Sequence, residues 1–319
     1  MRIINKYLIL SLILGLSSLV YSGPRYGGDI VPTPVSTNVV IQQVSLEPNN
    51  VRAYFYNTGI FNQDLRVSNT PGFEWPKNTG QFACFTAGLS IGAFVDGQLR
   101  EAMCSYKGEY APGYVENTSG VPIAVTNSKF RIYKVASTDN INNNPDVAGW
   151  ADMIPFGAPW TDINLDGIYD PSVDKPGIKD AAYTIFGCLT DGFPEEHKVG
   201  EGFGGGTSPL FVELHLTAWA YTSPGLEDLQ FVNWVVINKN TRPWEKTYMG
   251  VTVDPDLGGA DDDYIGCDTN LNMGFVYNGD NNDEGSHSYG ANPPAFGMDY
   301  FTSPIKFTGD PNDSVVFFD

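Results

Sequence analysis

The segment LFVELHLTAWAYT, residues 210–222, constrains the fold more than any other part of the chain. Its side chains fall into two rows. Leu210, Val212, Leu214, Leu216, Ala218 and Ala220 form one; Glu213, His215, Thr217, Trp219 and Tyr221 form the other. Period two marks a strand, because successive Cβ atoms point to opposite faces of a sheet. After the turn Ser223-Pro224-Gly225 comes LQFVNWVVIN (229–238), whose branched and aromatic residues suit a pleated surface.

Segments 38–44, 51–57, 81–95, 98–106, 129–136, 182–189, 246–253, 272–278 and 314–318 read as further strands. Asp96-Gly97 between two of them predicts a tight hairpin. The 35 glycines and 22 prolines supply turns, and 42% hydrophobic residues supply a core, so the chain is folded rather than disordered. The expected class is all-β and β-sandwich-like, with long Asp/Asn/Gly/Pro-rich loops. Residues 139–180 form the longest unpatterned connection, and a connection of that length is usually functional or ordered by a ligand. We place a boundary near 139, giving regions 23–138 and 139–319; one continuous domain with a long insertion is the alternative.

Arg2 and Lys6 precede an apolar run from Tyr7 to Val20, and Val20 and Ser22 stand at the small-x-small spacing of a cleavage site. That order reads as a signal peptide over residues 1–22, too short for a membrane anchor. The mature chain should carry no transmembrane segment and should be secreted or held at the cell surface. Its charge is uneven: residues 23–138 hold 9 basic and 8 acidic groups, residues 139–319 hold 7 and 29. Such an acidic chain excludes a nucleic-acid partner, since phosphates would be repelled. It also repels itself unless cations neutralise it.

The strongest chemical pattern is Asp162-Ile163-Asn164-Leu165-Asp166-Gly167-Ile168-Tyr169-Asp170. Oxygen side chains at alternating positions, then glycine, let a short loop wrap one hard cation. Asp162, Asn164, Asp166 and Asp170 match positions one, three, five and nine of an EF-hand loop. Position twelve is Val173, Asp174 comes one place late, and Pro171 disfavours an exiting helix. Ca2+ is therefore expected on an extracellular-type loop without flanking helices; an Asx-turn loop is the alternative. A second acidic segment holds Asp254, Asp256, Asp261, Asp262 and Asp263, with Asp268 beyond. There, either a cation binds or several carboxyl groups titrate high. Asp254, Asp256, Asp261 and Asp263 join the candidate ligands. The third, residues 278–284, reads as a solvated turn.

Cys84, Cys104, Cys188 and Cys267 permit two disulfides in an oxidising compartment. The three pairings stay open; Cys84 with Cys104, at either end of a predicted hairpin, is favoured, and four buried thiols are the alternative. No CxxC spacing and no neighbouring histidine argue against zinc. Neither GxSxG nor HExxH occurs, and the glycine-rich stretch 200–206 lacks the helix a phosphate loop needs. An enzymatic role is the weaker reading. Trp219, Tyr221 and Trp234 suit stacking on sugar rings, though sheet packing is the commoner use.

Residues 54–93, 105–115, 162–171, 190–214 and 254–281 together resemble a group of uncharacterised, large secreted proteins of Bacteroidota-type bacteria. The resemblance implies export, commonly through a C-terminal sorting domain for type IX secretion. That domain is absent from these residues, so the chain reads as an N-terminal fragment or a shortened relative. It brings no catalytic residue with it. The expected function is a calcium-stabilised β-rich protein with a structural, adhesive or surface-binding role toward an extracellular glycan or protein. The alternative is a polysaccharide-active hydrolase or a non-catalytic carbohydrate-binding module.

Overall fold

The structure, a computed structural model, describes residues 40–66, 70–116, 120–123, 128–197 and 205–301. The signal peptide expected over residues 1–22 and the strand predicted at 314–318 lie outside them. Contacts divide the described residues into two compact units, one ending at Asp254 and one beginning at Pro255. The fold is all-β and sandwich-like, built from several antiparallel sheets. No helix among the described residues is long and apolar enough to cross a membrane.

In the first unit, β1 (Gln43–Leu46) pairs with β2 (Ala53–Tyr56), and β3 (Thr86–Val95) pairs with β4 (Gln98–Ala102). The β3–β4 hairpin turns at Asp96 and Gly97, with φ of 50° and 75°. Positive φ at both positions is what a two-residue turn needs, and Gly97 meets it without a Cβ penalty. Tyr133–Ala136 is β5, Tyr183–Thr190 is β6, Val212–Ala220 is β7, Phe231–Asn238 is β8 and Glu245–Asp254 is β9. Strand β9 joins β3, giving the order β9-β3-β4. The facing sheet runs β8-β7-β6, with Ala111–Pro112 and β5 both paired to β6. Because β5 precedes position 139 and β6 follows 180, this sheet spans the boundary expected there.

Between the two sheets lies an apolar core. It includes Leu89, Ile91 and Val95 from β3, Leu189 from β6, and Val212 and Leu214 from β7. The other face of β6–β7 is covered as well. Residues 139–180 contribute α1 (Pro145–Gly149), two 3-10 turns, Trp150–Asp152 and Ile154–Phe156, and a second core. Asn144 caps α1 by accepting from the Asp146 amide at 2.9 Å, and proline follows at its first position. Trp150 is fully buried, its indole N–H donating to the Pro159 carbonyl at 2.9 Å, with Val147, Met153, Phe186 and Cys188 in the same cluster. Strand β7 is thus buried along both rows, apart from a half-exposed Trp219. Strand β8 at the sheet's edge is more open, Val235 being 47% exposed.

The second unit contains β10 (Asp263–Asp268), β11 (Met273–Asn278) and β12 (Ala295–Asp299), ordered β10-β11-β12. Val276 is fully buried there, and Tyr264 and Tyr277 stack across the ladder at 6.0 Å.

The disulfide expectation is corrected. None of the four cysteines is bonded to another. The Cys84 thiol donates to the carbonyls of Thr86 and Asp254, the Cys104 thiol to Thr58, and the Cys188 thiol to Gly113 at 3.2 Å. Cys84 and Cys104 flank the β3–β4 hairpin, but its arms are unequal: the register that sets Ile91 opposite Ala102 brings Cys104 beside Gly88 rather than Cys84, and Cys104 packs into the inter-sheet core. Cys267 is exposed.

Candidate functional site

The β6–β7 register places Cys188 directly opposite His215, and Thr190 opposite Glu213. Opposed residues in an antiparallel ladder share a face, so Cys188, Glu213 and His215 gather on the face that residues 139–180 cover. They are all buried, and one ligand atom from each lies within 4.8 Å of the others. Among the described residues this is the one such group of three His, Cys, Asp or Glu side chains. Local spacing conceals it: the thiol and the imidazole are neighbours across strands, not along the chain. The absence of a nearby histidine, read from sequence, is corrected by this pairing.

His215 Nε2 lies 2.9 Å from Glu213 Oε1, while Lys239 Nζ lies 3.1 Å from Glu213 Oε2. Burial pushes the Glu213 carboxyl up, but the bonds and charges of His215 and Lys239 outweigh it and hold the carboxyl below its ordinary value. Burial pushes the Cys188 thiol far up, so it is a poor nucleophile as it stands. Phe156 and Phe186 flank the imidazole, Phe156 edge-on. Gly157, at φ 82°, ends the second 3-10 turn in the left-handed region and brings the chain over the ring. A Cβ there would stand 3.6 Å from His215 Nδ1.

Beside the histidine lies a cleft of ≈ 230 Å³ lined by Gly157, Pro159, His215, Thr217, Trp219 and Asn233 among others. Trp219 stacks on Phe231 at 5.5 Å and 14°, whereas Trp234 packs against the inter-sheet core. The sheet-packing use of these aromatics therefore dominates.

A second buried polar centre ties loops together. Asp191, fully buried, accepts from the Leu210 and Val212 amides at 2.6 and 2.7 Å. His197 reaches the Asp191 carbonyl at 2.8 Å with Nε2 and stands 3.4 Å from Glu109 Oε2 with Nδ1. Burial raises the Asp191 carboxyl to about 6, against the opposing pull of His197 and the two amides. Glu109 accepts from the amides of Met103 and Gly206. This is a clamp on backbone rather than an open site. Gly205 and Gly206 are fixed on Glu101 and Glu109, so this end of the glycine-rich stretch binds carboxylates.

The candidate calcium loop is tied by bonds from its backbone amides to its carboxylates, and no three of those carboxylates come within 4.8 Å of one another. Asp162 accepts from the amides of Leu165 at 2.6 Å, Asp166 at 3.3 Å and Gly167 at 2.8 Å. Asp174, only 3% exposed, accepts from the Ile163 amide at 2.9 Å and the Asp170 amide at 2.7 Å. The carboxylate that comes one place late thus closes the loop. Asn164 and Asp166 bond each other at 2.8 Å, and Asp170 accepts from the Ser172 amide and hydroxyl.

The second acidic segment is divided between the units. Asp254 ends β9 and accepts from the Tyr106 hydroxyl at 2.6 Å; Asp256, Asp261 and Asp263 belong to the second unit. Asp261 is exposed. Asp263 accepts from the Leu257 amide at 2.9 Å, and burial, with Asp262, Asp256 and Asp283 adding repulsion, raises its carboxyl to about 7. Asp262 Oδ1 and Asp263 Oδ1 are shielded from solvent with no hydrogen-bond partner. The third segment is not simply a solvated turn: Asp283 is 2% exposed and accepts from the amides of Gly259 and Tyr289.

No protein-family model, no curated protein and no solved structure matches the chain.

Proposed function

We propose that this is an exported, calcium-stabilised β-rich protein with a structural, adhesive or surface-binding role, akin to the large secreted proteins its sequence resembles. The observation that carries the reading is the closed loop 162–174, where Asp162 and Asp174 draw five backbone amides inward. An ionised carboxylate offers about four lone-pair sites, so these bonds orient the oxygens without exhausting them. Ligating carboxylates are commonly held by such outer hydrogen bonds. The shielded Asp262 Oδ1 and Asp263 Oδ1 add support, because a cation is one way to satisfy buried carboxylate oxygens that accept no hydrogen bond.

Thermal melts in excess calcium and in EGTA test the reading. Calcium at a hundredfold excess over Kd should add about 2.7 kcal/mol of stability. Asp174→Ala should remove that part of the gain which belongs to loop 162–174. Coincident melts of the parent protein in calcium and EGTA would reject calcium stabilisation. A second reading, non-catalytic carbohydrate binding, draws on the cleft beside Trp219 and Asn233. Retention on a glycan column, lost in Trp219→Ala, would favour it.

A further inference from the structure

We propose that Cys188, Glu213 and His215 form a zinc site, independent of the calcium reading. The ligand set decides the metal class. Calcium takes oxygen ligands, whereas a thiolate and an imidazole with one carboxylate suit zinc. Ligands at 2.0–2.3 Å from a tetrahedral zinc stand roughly 3.3–3.8 Å apart. The three atoms already lie within 4.8 Å of one another, with His215 Nε2 and Glu213 Oε1 at 2.9 Å, so small side-chain rotations close the set.

The surroundings fit a metal better than they fit a catalytic dyad. The Cys188 thiol donates to the Gly113 carbonyl rather than to the imidazole, so nothing present removes its proton. Zinc would do so: the S–H bond breaks, the sulfur pair forms the Zn–S bond, and the proton leaves to solvent. Lys239 Nζ forms an ion pair with Glu213 Oε2 at 3.1 Å and leaves Oε1 beside the histidine, so an outer cation steadies the carboxylate that would ligate. Three protein ligands leave one position of a tetrahedron for a water or a small anionic ligand. The competing description is a sealed ion network, in which Lys239 and His215 satisfy Glu213 and the thiol is packing.

The deciding experiment uses the whole purified protein, stripped of metal and titrated with Zn2+ and with Co2+. We expect one zinc per chain from metal analysis, and a cobalt spectrum with a thiolate-to-cobalt charge-transfer band and intense tetrahedral d–d bands. Cys188→Ser should abolish the charge-transfer band, while Cys267→Ser, at the exposed cysteine, should keep it. Lys239→Met should weaken zinc about tenfold and leave the band in place. A parent protein without the charge-transfer band overturns the proposal, even where a variant fails to fold. So does a band that survives Cys188→Ser.

Discussion

The two faces of the β6–β7 ladder are made from the same residues in alternation, yet they are held by different forces. One carries Leu189, Val212 and Leu214 into the inter-sheet core, where contacts are apolar and non-directional. The other carries Cys188, Glu213 and His215 beneath the cover supplied by residues 139–180, where each polar atom must find a partner. Burial is almost equal on the two rows of β7. What differs is how each face fails: the first loses packing in proportion to the atoms removed, the second is left with uncompensated charge.

That contrast is open to attack, most strongly on the polar side. Glu213→Leu should cost about 3–5 kcal/mol in chemical denaturation, because Lys239 is left without its buried counter-charge. Adding Lys239→Met to Glu213→Leu should restore most of the loss; no restoration would mean the two side chains are not coupled. On the apolar side, Leu214→Ala should cost about 2–5 kcal/mol through lost burial and a residual cavity. No second-site change of charge should rescue it.

The two buried polar centres respond to acidity with opposite signs. Asp191 has its folded pKa raised to about 6, so its neutral form is favoured by folding. Its contribution is complete below the ordinary value near 3.8 and is lost as pH rises through about 6, a change on the order of 3 kcal/mol. Glu213 behaves oppositely: its carboxyl is held below the ordinary 4.5, so its contribution is present above that pH and fades as pH falls. Stability measured from pH 4 to pH 7 in Asp191→Asn should therefore lose the downward slope. A slope unchanged from the parent protein would assign it elsewhere. The smallest effect is expected at the sheet edge, where Val235→Thr should stay within about 0.5 kcal/mol by thermal melt.

How much of this was readable beforehand follows from the same contrast. Alternation in 210–222 announces β7 and its two unlike rows, and Asp96-Gly97 announces a hairpin, since both signals are local. The cover over the second row is not announced. Its helical pieces are a turn or so long, too short to show periodicity, and Trp150 anchors them through tertiary contacts. Cys188 and His215 meet only through strand register, which motif spacing does not encode. Asp162 to Asp174 was legible as an oxygen-rich loop, but Asp174's reach back to the Ile163 amide depends on the folded path.

A strand with unlike rows, buried on both sides, also resists sliding. Moving β7 one residue along β6 would drive Leu214 into the niche of His215 and turn His215 toward the leucines of the opposite sheet. Both errors would be costly together, and neither could relax into water. The central pairing is in effect double-keyed: mispaired arrangements of a newly made chain are rejected once by grease and again by charge.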